Sequence, residues 1–283
     1  MPSQTTSRPT SAGSNSGIRT IRVLGQRLKV AIRPGDGTRT PLLLMNGIGA
    51  NLELLQPFVD ALDPAIEVIR FDAPGVGGSP TPSLPYRFSA LANLVGRMLD
   101  ALGYPSVDVL GISWGGGLAQ QVARQLPQRC RCLVLVSTGA GALMVPGKPT
   151  ILAKLATPRR YRDPGYMAAI AQEIYGGDID PALAWEFANK MRPTDPRGYL
   201  YQLLCGTGWT SIPWLNRLRQ PTLIVSGDDD RIVPVVNAKI MRQLIPRSRL
   251  HIFHGGHLGL VLQANVLAPI IGSFLAAPLG GTK

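Results

Sequence analysis

The chain has 283 residues, 45% of them apolar, which is enough to bury the core of one large domain with an insertion. No run approaches about 18 uncharged apolar residues, and the N-terminus lacks the apolar stretch of a secretory signal, so we expect a cytoplasmic protein with no transmembrane segment. The net charge of +12 is spread along the chain, with one basic cluster at residues 158–162, which favours a solvated basic surface over a nucleic-acid-binding face.

Predicted strands and helices alternate along most of the chain. Residues 1–17 are rich in Ser, Thr, Gly and Pro and predict a disordered tail, and residues 18–33 predict a hairpin around Gly25 and Gln26. Further along, nearly continuous apolar runs alternate with segments of helical spacing. Strands that are buried on both faces and separated by helices predict an α/β fold, with a mostly parallel central sheet and helices on both faces. The predicted strands cover residues 41–47, 66–75, 107–113, 131–138, 221–227 and 249–253, and the predicted helices cover residues 51–62, 91–103, 235–245 and 264–277, with one more beginning near Trp114.

A serine stands between glycines where one predicted strand meets a helix. Gly111-Ile112-Ser113-Trp114-Gly115 fits the pattern G-x-S-x-G, in which a serine on a sharp strand-to-helix turn is exposed as a nucleophile. The glycines are needed because strand and helix approach closely around such a turn and leave no room for Cβ atoms. A glycine-rich turn with an N-capping serine is the alternative, but the flanking strand and helix favour Ser113 as the nucleophile.

A serine hydroxyl is a poor nucleophile until a base accepts its proton, so a histidine is required. The chain has three, His251, His254 and His257, all near the end of the last predicted strand. His251 falls inside that strand and is expected to be exposed there, whereas His257 follows Gly255 and Gly256 on a loop that can reach the serine. We therefore predict His257 as the base, with His254 as the alternative.

An imidazole that shuttles a proton needs a carboxylate to fix its tautomer and to stabilise its cation. The stretch SGDDDRIVP contains the end of the predicted strand at residues 221–227 and offers Asp228, Asp229 and Asp230. Because a run of acids in a turn is often only solvated, the residues by themselves leave the choice among the three open.

Hydrolysis of an ester passes through an oxyanion that backbone N–H groups stabilise. The turn at the serine supplies one donor, the N–H of Trp114. Two further glycine-rich loops, NGIGAN at residues 46–51 and FDAPGVGGS at residues 71–79, coincide with the ends of other predicted strands. The first is predicted to supply the second donor, unless it is a simple strand-to-helix turn capped by Asn51, and the second loop is expected to be structural.

Together these motifs resemble the α/β-hydrolase superfamily over nearly all of the chain from residue 18 onward. The resemblance implies that the acid is Asp230, three residues after the glycine of SGDDD, and that Ser113, Asp230 and His257 form a catalytic triad in that order. It also implies that Ile48 supplies the second oxyanion N–H, at a place where these folds often carry His-Gly. The other position at which this fold sometimes has its acid, after the strand at residues 131–138, contains only GAGAL.

Several stretches resemble a narrower family, the intracellular medium-chain-length poly(3-hydroxyalkanoate) depolymerases. Two of these stretches include motifs described above: NGIGANLELLQPFVDALD and GISWGGGLAQQ. Three others lie outside the catalytic motifs: MVPGKP, TPRRY and GWTSIPWL. This resemblance implies a cytoplasmic serine esterase that acts on stored polyester granules and releases 3-hydroxyalkanoic acids.

Residues 140–215 are expected to form a helical cap inserted into a core made of residues 18–139 and 216–283. The insertion holds nine of the 17 aromatic residues of the chain, about twice its even share. Ligand pockets are walled mainly by hydrophobic and aromatic side chains, although most of these aromatics are expected to form the cap's own small core. We expect two or three of them to contact substrate.

The predicted reaction is two-step acyl transfer to water, with a hydrophobic polyester or ester as substrate and no metal or organic cofactor. A hydrolase of small esters or of carbon–carbon bonds on the same fold is one alternative, and a non-catalytic receptor or granule-surface protein is another. The three cysteines lack metal-ligand partners and are expected to be buried or idle thiols in a reducing cytosol.

Overall fold

One edge of the central sheet is a hairpin that turns at two residues with left-handed backbone. The computed structural model describes residues 17–157, 163–191 and 195–277. Strands β1 (Gly17–Val23) and β2 (Gln26–Arg33) pair antiparallel. Leu24 and Gly25 connect them with φ angles of 50° and 79°, as a two-residue hairpin turn of type I′ requires. The predicted hairpin is confirmed, but its turn lies one residue earlier than expected.

Six further strands complete an eight-stranded sheet in the described part of the chain. They are β3 (Leu42–Met45), β4 (Val68–Phe71), β5 (Val107–Ile112), β6 (Cys130–Val136), β7 (Thr222–Gly227) and β8 (Ser248–Phe253). The order is β1-β2-β4-β3-β5-β6-β7-β8, in which β3 to β8 are parallel while β1 and β2 run antiparallel to their neighbours. Every residue of β3, β4, β5 and β7 is buried, which explains the continuous apolar runs. The predicted α/β fold is confirmed.

Helices cover both faces of this sheet. They are α1 (Gln56–Ala61), α2 (Phe88–Leu102), α3 (Trp114–Gln125), α4 (Pro149–Ala156), α5 (Pro164–Tyr175), α6 (Pro181–Lys190), α7 (Pro196–Gly206), α8 (Val236–Leu244), α9 (Gly259–Leu262) and α10 (Ala264–Ala276), with 3-10 helices at Leu52–Leu55, Pro127–Arg129 and Ile212–Arg217. On one face α2 and α3 pack with Val107 and Val109 of β5, and on the other α1 and α10 pack with Leu110 and Ile112. This division follows because successive side chains of a strand point to opposite faces.

The segment between β6 and β7 contains α4 to α7, and its two ends lie side by side. The N–H of Ala142 donates to the carbonyl of Trp209 at 2.7 Å, and the N–H of Ser211 donates to the carbonyl of Ala140 at 3.0 Å. An apolar cluster built largely from α5 and α6 also includes Leu54, which follows β3. The segment therefore packs over the edge of the sheet at which the parallel strands end.

Two predictions concern residues outside the described part of the chain. These are the tail at residues 1–16 and the basic cluster at residues 158–162, whereas Gly17, the last residue of the predicted tail, begins β1. Among the described residues, none of the helices combines the length and the apolar composition that crossing a bilayer requires.

Candidate active site

Ser113 occupies a strained corner between β5 and α3. Its φ and ψ angles are 54° and −121°, a region that costs a residue with a side chain roughly 1–3 kcal/mol. Its backbone is held from the end of β6, because its N–H donates to the carbonyl of Val136 at 2.9 Å and its carbonyl accepts from Oγ1 of Thr138 at 2.7 Å. The corner leaves Ser113 partly exposed at the wall of a cavity.

The two glycines of the motif allow this corner to form. A Cβ atom on Gly111 would lie 2.2 Å from the carbonyl oxygen of Gly115, and a Cβ atom on Gly115 would lie 2.2 Å from the carbonyl oxygen of Met45. Strand β5, helix α3 and the end of β3 therefore meet at backbone distance around Ser113. The reason predicted for the glycines is confirmed.

His257 and Asp230 form a buried pair on the loops that follow β8 and β7. Nδ1 of His257 lies 2.8 Å from Oδ2 of Asp230, and the two side chains are 6% and 0% exposed. The other carboxylate oxygen of Asp230 accepts from the N–H groups of Ile232 at 3.0 Å and Val233 at 2.8 Å. The carboxylate is thus fixed through one oxygen and contacts Nδ1 of the imidazole through the other.

The inserted segment fixes the loop of His257. The N–H of His257 donates to the carbonyl of Tyr175 at 2.7 Å, and the two rings are stacked with 9° between their planes and 6.1 Å between their centroids. A Cβ atom on Gly256 would lie 2.2 Å from the carbonyl oxygen of Tyr175, so the two segments pack backbone to backbone. The end of α5 therefore sets where the imidazole lies.

The other two histidines occupy different surroundings. His254 is 91% exposed, and its Nδ1 lies 3.0 Å from Oδ2 of Asp228. The hydrogen bond with Asp228 raises the pKa of His254 above its usual value. His251 lies within β8, as predicted, but it is half-buried rather than exposed. Asp229, the remaining acid of the run, accepts from the N–H of Gly177 at 2.8 Å.

Ser113 and His257 line one cavity of about 330 Å³. Its walls are mainly apolar and include Leu54, Phe187 and Met191. Among the described residues, no hydrogen bond joins the side chains of Ser113 and His257. Three aromatic residues of the inserted segment line this cavity: Tyr175, Phe187 and Tyr199.

The loop after β3 lies beside the serine. Gly47 and Ile48 line the cavity, and a Cβ atom on Gly47 would lie 3.6 Å from Cβ of Ser113. The loop is closed by the side chain of Asn46, whose Nδ2 donates to the carbonyl of Asn51 at 2.7 Å. Asn51 occupies the cap position of the following 3-10 helix without a capping hydrogen bond from its side chain, which donates to Glu53 instead.

The second glycine-rich loop, at residues 71–79, makes structural contacts, as predicted. Asp72 is fully buried and accepts from the N–H groups of Leu52 at 2.7 Å and Gly78 at 2.8 Å. Burial raises the pKa of Asp72, while these two backbone donors oppose the shift. None of the loop's residues is among the cavity-lining residues described above.

The thiols of the described residues are unsuited to nucleophilic attack. Cys130, Cys132 and Cys205 are free and buried, as predicted. Burial raises the pKa of Cys132 to about 11 and that of Cys205 to about 12, so both remain protonated near neutral pH. None of the three lines the cavity that holds Ser113.

Three contributors to this geometry were not predicted from the sequence: Thr138, Tyr175 and Gln202. Thr138 supports the serine corner, Tyr175 supports the histidine loop, and Gln202 contacts the loop after β3 through the N–H of Gly49 at 2.7 Å. Tyr175 and Gln202 lie in the inserted segment, far along the chain from the loops they contact. Their roles carry no local sequence signal because they arise from tertiary packing.

Residues 40–264 match the family defined by the alpha/beta hydrolase fold. With this match and the geometry above, the chain belongs to the α/β-hydrolase family. It is 53% identical over 260 residues to a poly(3-hydroxyalkanoate) depolymerase of Ectopseudomonas oleovorans. The aligned region covers 91% of this chain and 92% of that protein. The resemblance to the α/β-hydrolase superfamily is confirmed, and so is the resemblance to poly(3-hydroxyalkanoate) depolymerases.

Solved structures show the same fold. A hydrolase from Pseudomonas aeruginosa PA01 is 26% identical with a TM-score of 0.77 and covers 94% of this chain and 100% of its own. An enol-lactonase from Burkholderia xenovorans LB400 is 23% identical with a TM-score of 0.78, covers 92% of this chain and 100% of its own, and is similar in fold alone.

Proposed function

We propose that this protein is a serine carboxylic ester hydrolase that depolymerises medium-chain-length poly(3-hydroxyalkanoate) to 3-hydroxyalkanoic acids. The observation that carries the proposal is one apolar cavity lined by Ser113 and by His257, whose Nδ1 lies 2.8 Å from a buried carboxylate. The identity of the depolymerase relative, over nine-tenths of both chains, supports the choice of substrate.

In the proposed reaction, Oγ of Ser113 attacks the ester carbonyl while Nε2 of His257 accepts its proton. Asp230 stabilises the imidazolium that forms. The N–H groups of Ile48 and Trp114 donate to the oxyanion, each contributing about 10²–10³ in rate. The alcohol end of the polymer leaves with the proton of His257, and a water molecule activated by His257 then hydrolyses the acyl-enzyme. Each step uses residues of the chain and water.

The apolar walls support an ester with long alkyl side chains. Such a substrate gains binding energy from contact with apolar side chains, at about 25 cal/mol for each Å² of apolar surface removed from water. We assign residues 140–215 as a cap over this cavity, since the segment contributes Leu155, Phe187, Met191 and Tyr199 to its walls.

We also propose that the enzyme works in the cytoplasm at the surface of stored polyester granules. Leu200, Leu203 and Leu204 are 42–49% exposed, at helical spacing on one face of α7. Leu203 and the exposed Leu152 also line the catalytic cavity, so this apolar face is continuous with it. An insoluble polyester surface is the occupant that matches such a face, because the substrate itself is then delivered beside the cavity.

Product release from amorphous medium-chain polyester granules tests the proposal. Wild-type protein is expected to release 3-hydroxyalkanoic acids, and Ser113→Ala is expected to lose at least about 10³-fold of that rate while keeping its melting temperature. A panel of short soluble esters run in parallel separates a depolymerase from a small-ester hydrolase. Turnover of the short esters with no release from granules would contradict the proposed substrate, and full activity of Ser113→Ala would contradict the nucleophile.

A further inference from the structure

Gln202 contacts both the loop after β3 and Trp114, the residue that follows Ser113. It is on α7 and is 1% exposed, an unusual degree of burial for a glutamine. Its Oε1 atom accepts from the N–H of Gly49 at 2.7 Å, and its backbone carbonyl accepts from Nε1 of Trp114 at 2.9 Å. One residue of the inserted segment therefore touches both the loop after β3 and the first residue of α3.

These two contacts reach both proposed oxyanion donors. Gly49 directly follows Ile48, so the hydrogen bond to Gln202 fixes the plane of the peptide that joins them and restricts rotation of Ile48. Trp114 provides the other donor through its backbone N–H, while its indole is fixed by the carbonyl of Gln202. Gln202 thus contacts the peptide that follows one proposed donor and the side chain of the residue that carries the other.

The loop needs such a contact because its backbone is permissive. Gly49 has a φ angle of 68°, in the left-handed region that glycine adopts readily, and Gly47 precedes it by two residues. The side chain of Asn46 closes the ends of the loop but does not contact its apex. The hydrogen bond from Gly49 to Gln202 joins the apex to α7.

Helix α7 is itself held tightly enough to act as an anchor. A Cβ atom on Gly198 would lie 2.1 Å from the carbonyl oxygen of Gly75, so the helix rests on the loop at residues 71–79 at backbone distance. At the start of the helix, Oγ1 of Thr81 donates to the carboxylate of Asp195 at 2.5 Å. Both contacts hold the part of α7 that precedes Gln202.

We propose that Gln202 is a positioning residue for the oxyanion hole, fixing the N–H of Ile48 against that of Trp114 from the inserted segment. The inference rests on the proposed hydrolase function and extends it, because catalysis then depends on the position of α7 against the core. A misplaced donor reduces stabilisation of the transition state more than binding of the ester, because charge on the carbonyl oxygen develops only during reaction.

Gln202→Met tests this role, because methionine keeps the length of the side chain but offers no strong acceptor to Gly49. The backbone carbonyl that accepts from Trp114 is retained. On a soluble 4-nitrophenyl ester we expect kcat to fall by about 10- to 100-fold, less than the loss of a whole donor, with KM within about two-fold of wild type. The matched control is Gln220→Met, which alters another buried glutamine whose Nε2 donates to Ala123 at 2.9 Å outside the cavity. The control is expected to lose similar stability and keep its kcat.

Affinity for an alkyl trifluoromethyl ketone distinguishes positioning from a general structural effect. This probe forms a tetrahedral oxyanion on the serine, whereas the corresponding methyl ketone binds mainly as a ground-state analogue. Gln202→Met is expected to lose affinity for the first in step with its kcat and to keep affinity for the second. If Gln202→Met does not fold, Gln202→Asn, whose amide is one methylene shorter, is expected to show the same pattern.

A folded Gln202 variant with the kcat and the trifluoromethyl ketone affinity of Gln220→Met would overturn the inference. So would a rise in KM at unchanged kcat. If Ser113→Ala is inactive and Gln202→Met is fully active, only the role of Gln202 is wrong. If Ser113→Ala retains turnover, the proposed function itself is wrong.

Discussion

Oδ2 of Asp230 lies 2.8 Å from Nδ1 of His257, and both side chains are almost wholly buried. The neighbouring loop residues Asp228 and His254 make a similar contact at 3.0 Å, but their side chains are 44% and 91% exposed. Burial rather than the contact itself distinguishes the two pairs, because a charge interaction is much stronger where water is excluded. The exposed pair, Asp228 and His254, can therefore serve as a control for the proposed acid and base, Asp230 and His257.

Replacing the buried acid is expected to abolish most activity. In Asp230→Asn the amide no longer stabilises the imidazolium and favours the wrong tautomer, so kcat on a soluble ester should fall by about 10³–10⁴-fold. Asp228→Asn changes the exposed pair in the same way and should stay within about two-fold of wild type. Equal losses in the two variants would show that the acid has been assigned to the wrong pair.

The exposed pair is expected to affect stability with pH instead of catalysis. Since Asp228 raises the pKa of His254 above 6.5, the imidazolium favours the folded state below about pH 6.5, and this contribution is lost as pH rises through the raised pKa. The pKa of Asp228 is lowered by the same hydrogen bond, so its contribution is lost as pH falls below the ordinary carboxyl range.

Melting temperatures of wild type and His254→Gln measure this effect. Wild type should be slightly more stable at pH 5–6, by at most about 2 °C for an exposed pair, and the difference should shrink as pH rises through the raised pKa of His254. The kcat of His254→Gln should match wild type throughout this pH range. A difference that grows with rising pH would have the opposite sign from the one expected.

The strained corner at Ser113 was predictable because its signals are local. Ser113 is flanked by glycines at fixed spacing, and the strand before it and the helix after it are both evident from apolar periodicity. Asp230 and His257 also lie within four residues of the ends of predicted strands, where a parallel sheet brings loops together. The contacts of Tyr175 and Gln202 were not predictable, because each joins segments tens of residues or more apart through a fold that local patterns do not specify.

Adding one methyl group at Gly115 should push apart helix α3 and the end of β3 beside Ser113. The Cβ atom of Gly115→Ala would meet the carbonyl of Met45 at 2.2 Å, so we expect a loss of roughly 1–3 kcal/mol in the free energy of unfolding. The same shift moves Ser113 away from the loop of Ile48, so kcat should fall by at least about 10-fold. Urea denaturation and ester hydrolysis measure the two effects.

Gly272→Ala is the matched control for that variant. Gly272 lies in α10, and a Cβ atom there would have no neighbour within 4 Å. Alanine should therefore raise the free energy of unfolding by up to about 1 kcal/mol through its helix propensity and leave kcat unchanged. If both alanine variants behave alike, close backbone approach is not what selects glycine at position 115.

Polar substitution of the exposed leucines is expected to separate granule activity from ester chemistry. Leu200 and Leu204 lie outside the cavity lining, so the double variant Leu200→Ser/Leu204→Ser should keep kcat/KM on soluble esters within about two-fold. Its rate on granules should fall by roughly 30-fold, since about 1 kcal/mol of apolar contact is lost at each of the two positions. Val266→Ser, which removes an exposed apolar side chain of α10, should leave both rates unchanged.

The fold was predicted more completely in its core than in the inserted segment. The alternation of buried strands and helices identifies the parallel sheet, since strands covered on both faces are apolar throughout. The hairpin turn was misplaced because Leu24 adopts a positive φ angle that leucine rarely takes. The course of α4 to α7 was not predicted, because their apolar faces pack partly on one another and partly on loops of the core.

Covalent labelling by an alkyl fluorophosphonate tests the central assignment most directly. Peptide mass spectrometry of folded protein should find a single adduct on Ser113, absent after heat denaturation and absent in Ser113→Ala. An adduct on another serine, or an unlabelled Ser113 in protein that still hydrolyses esters, would contradict the account.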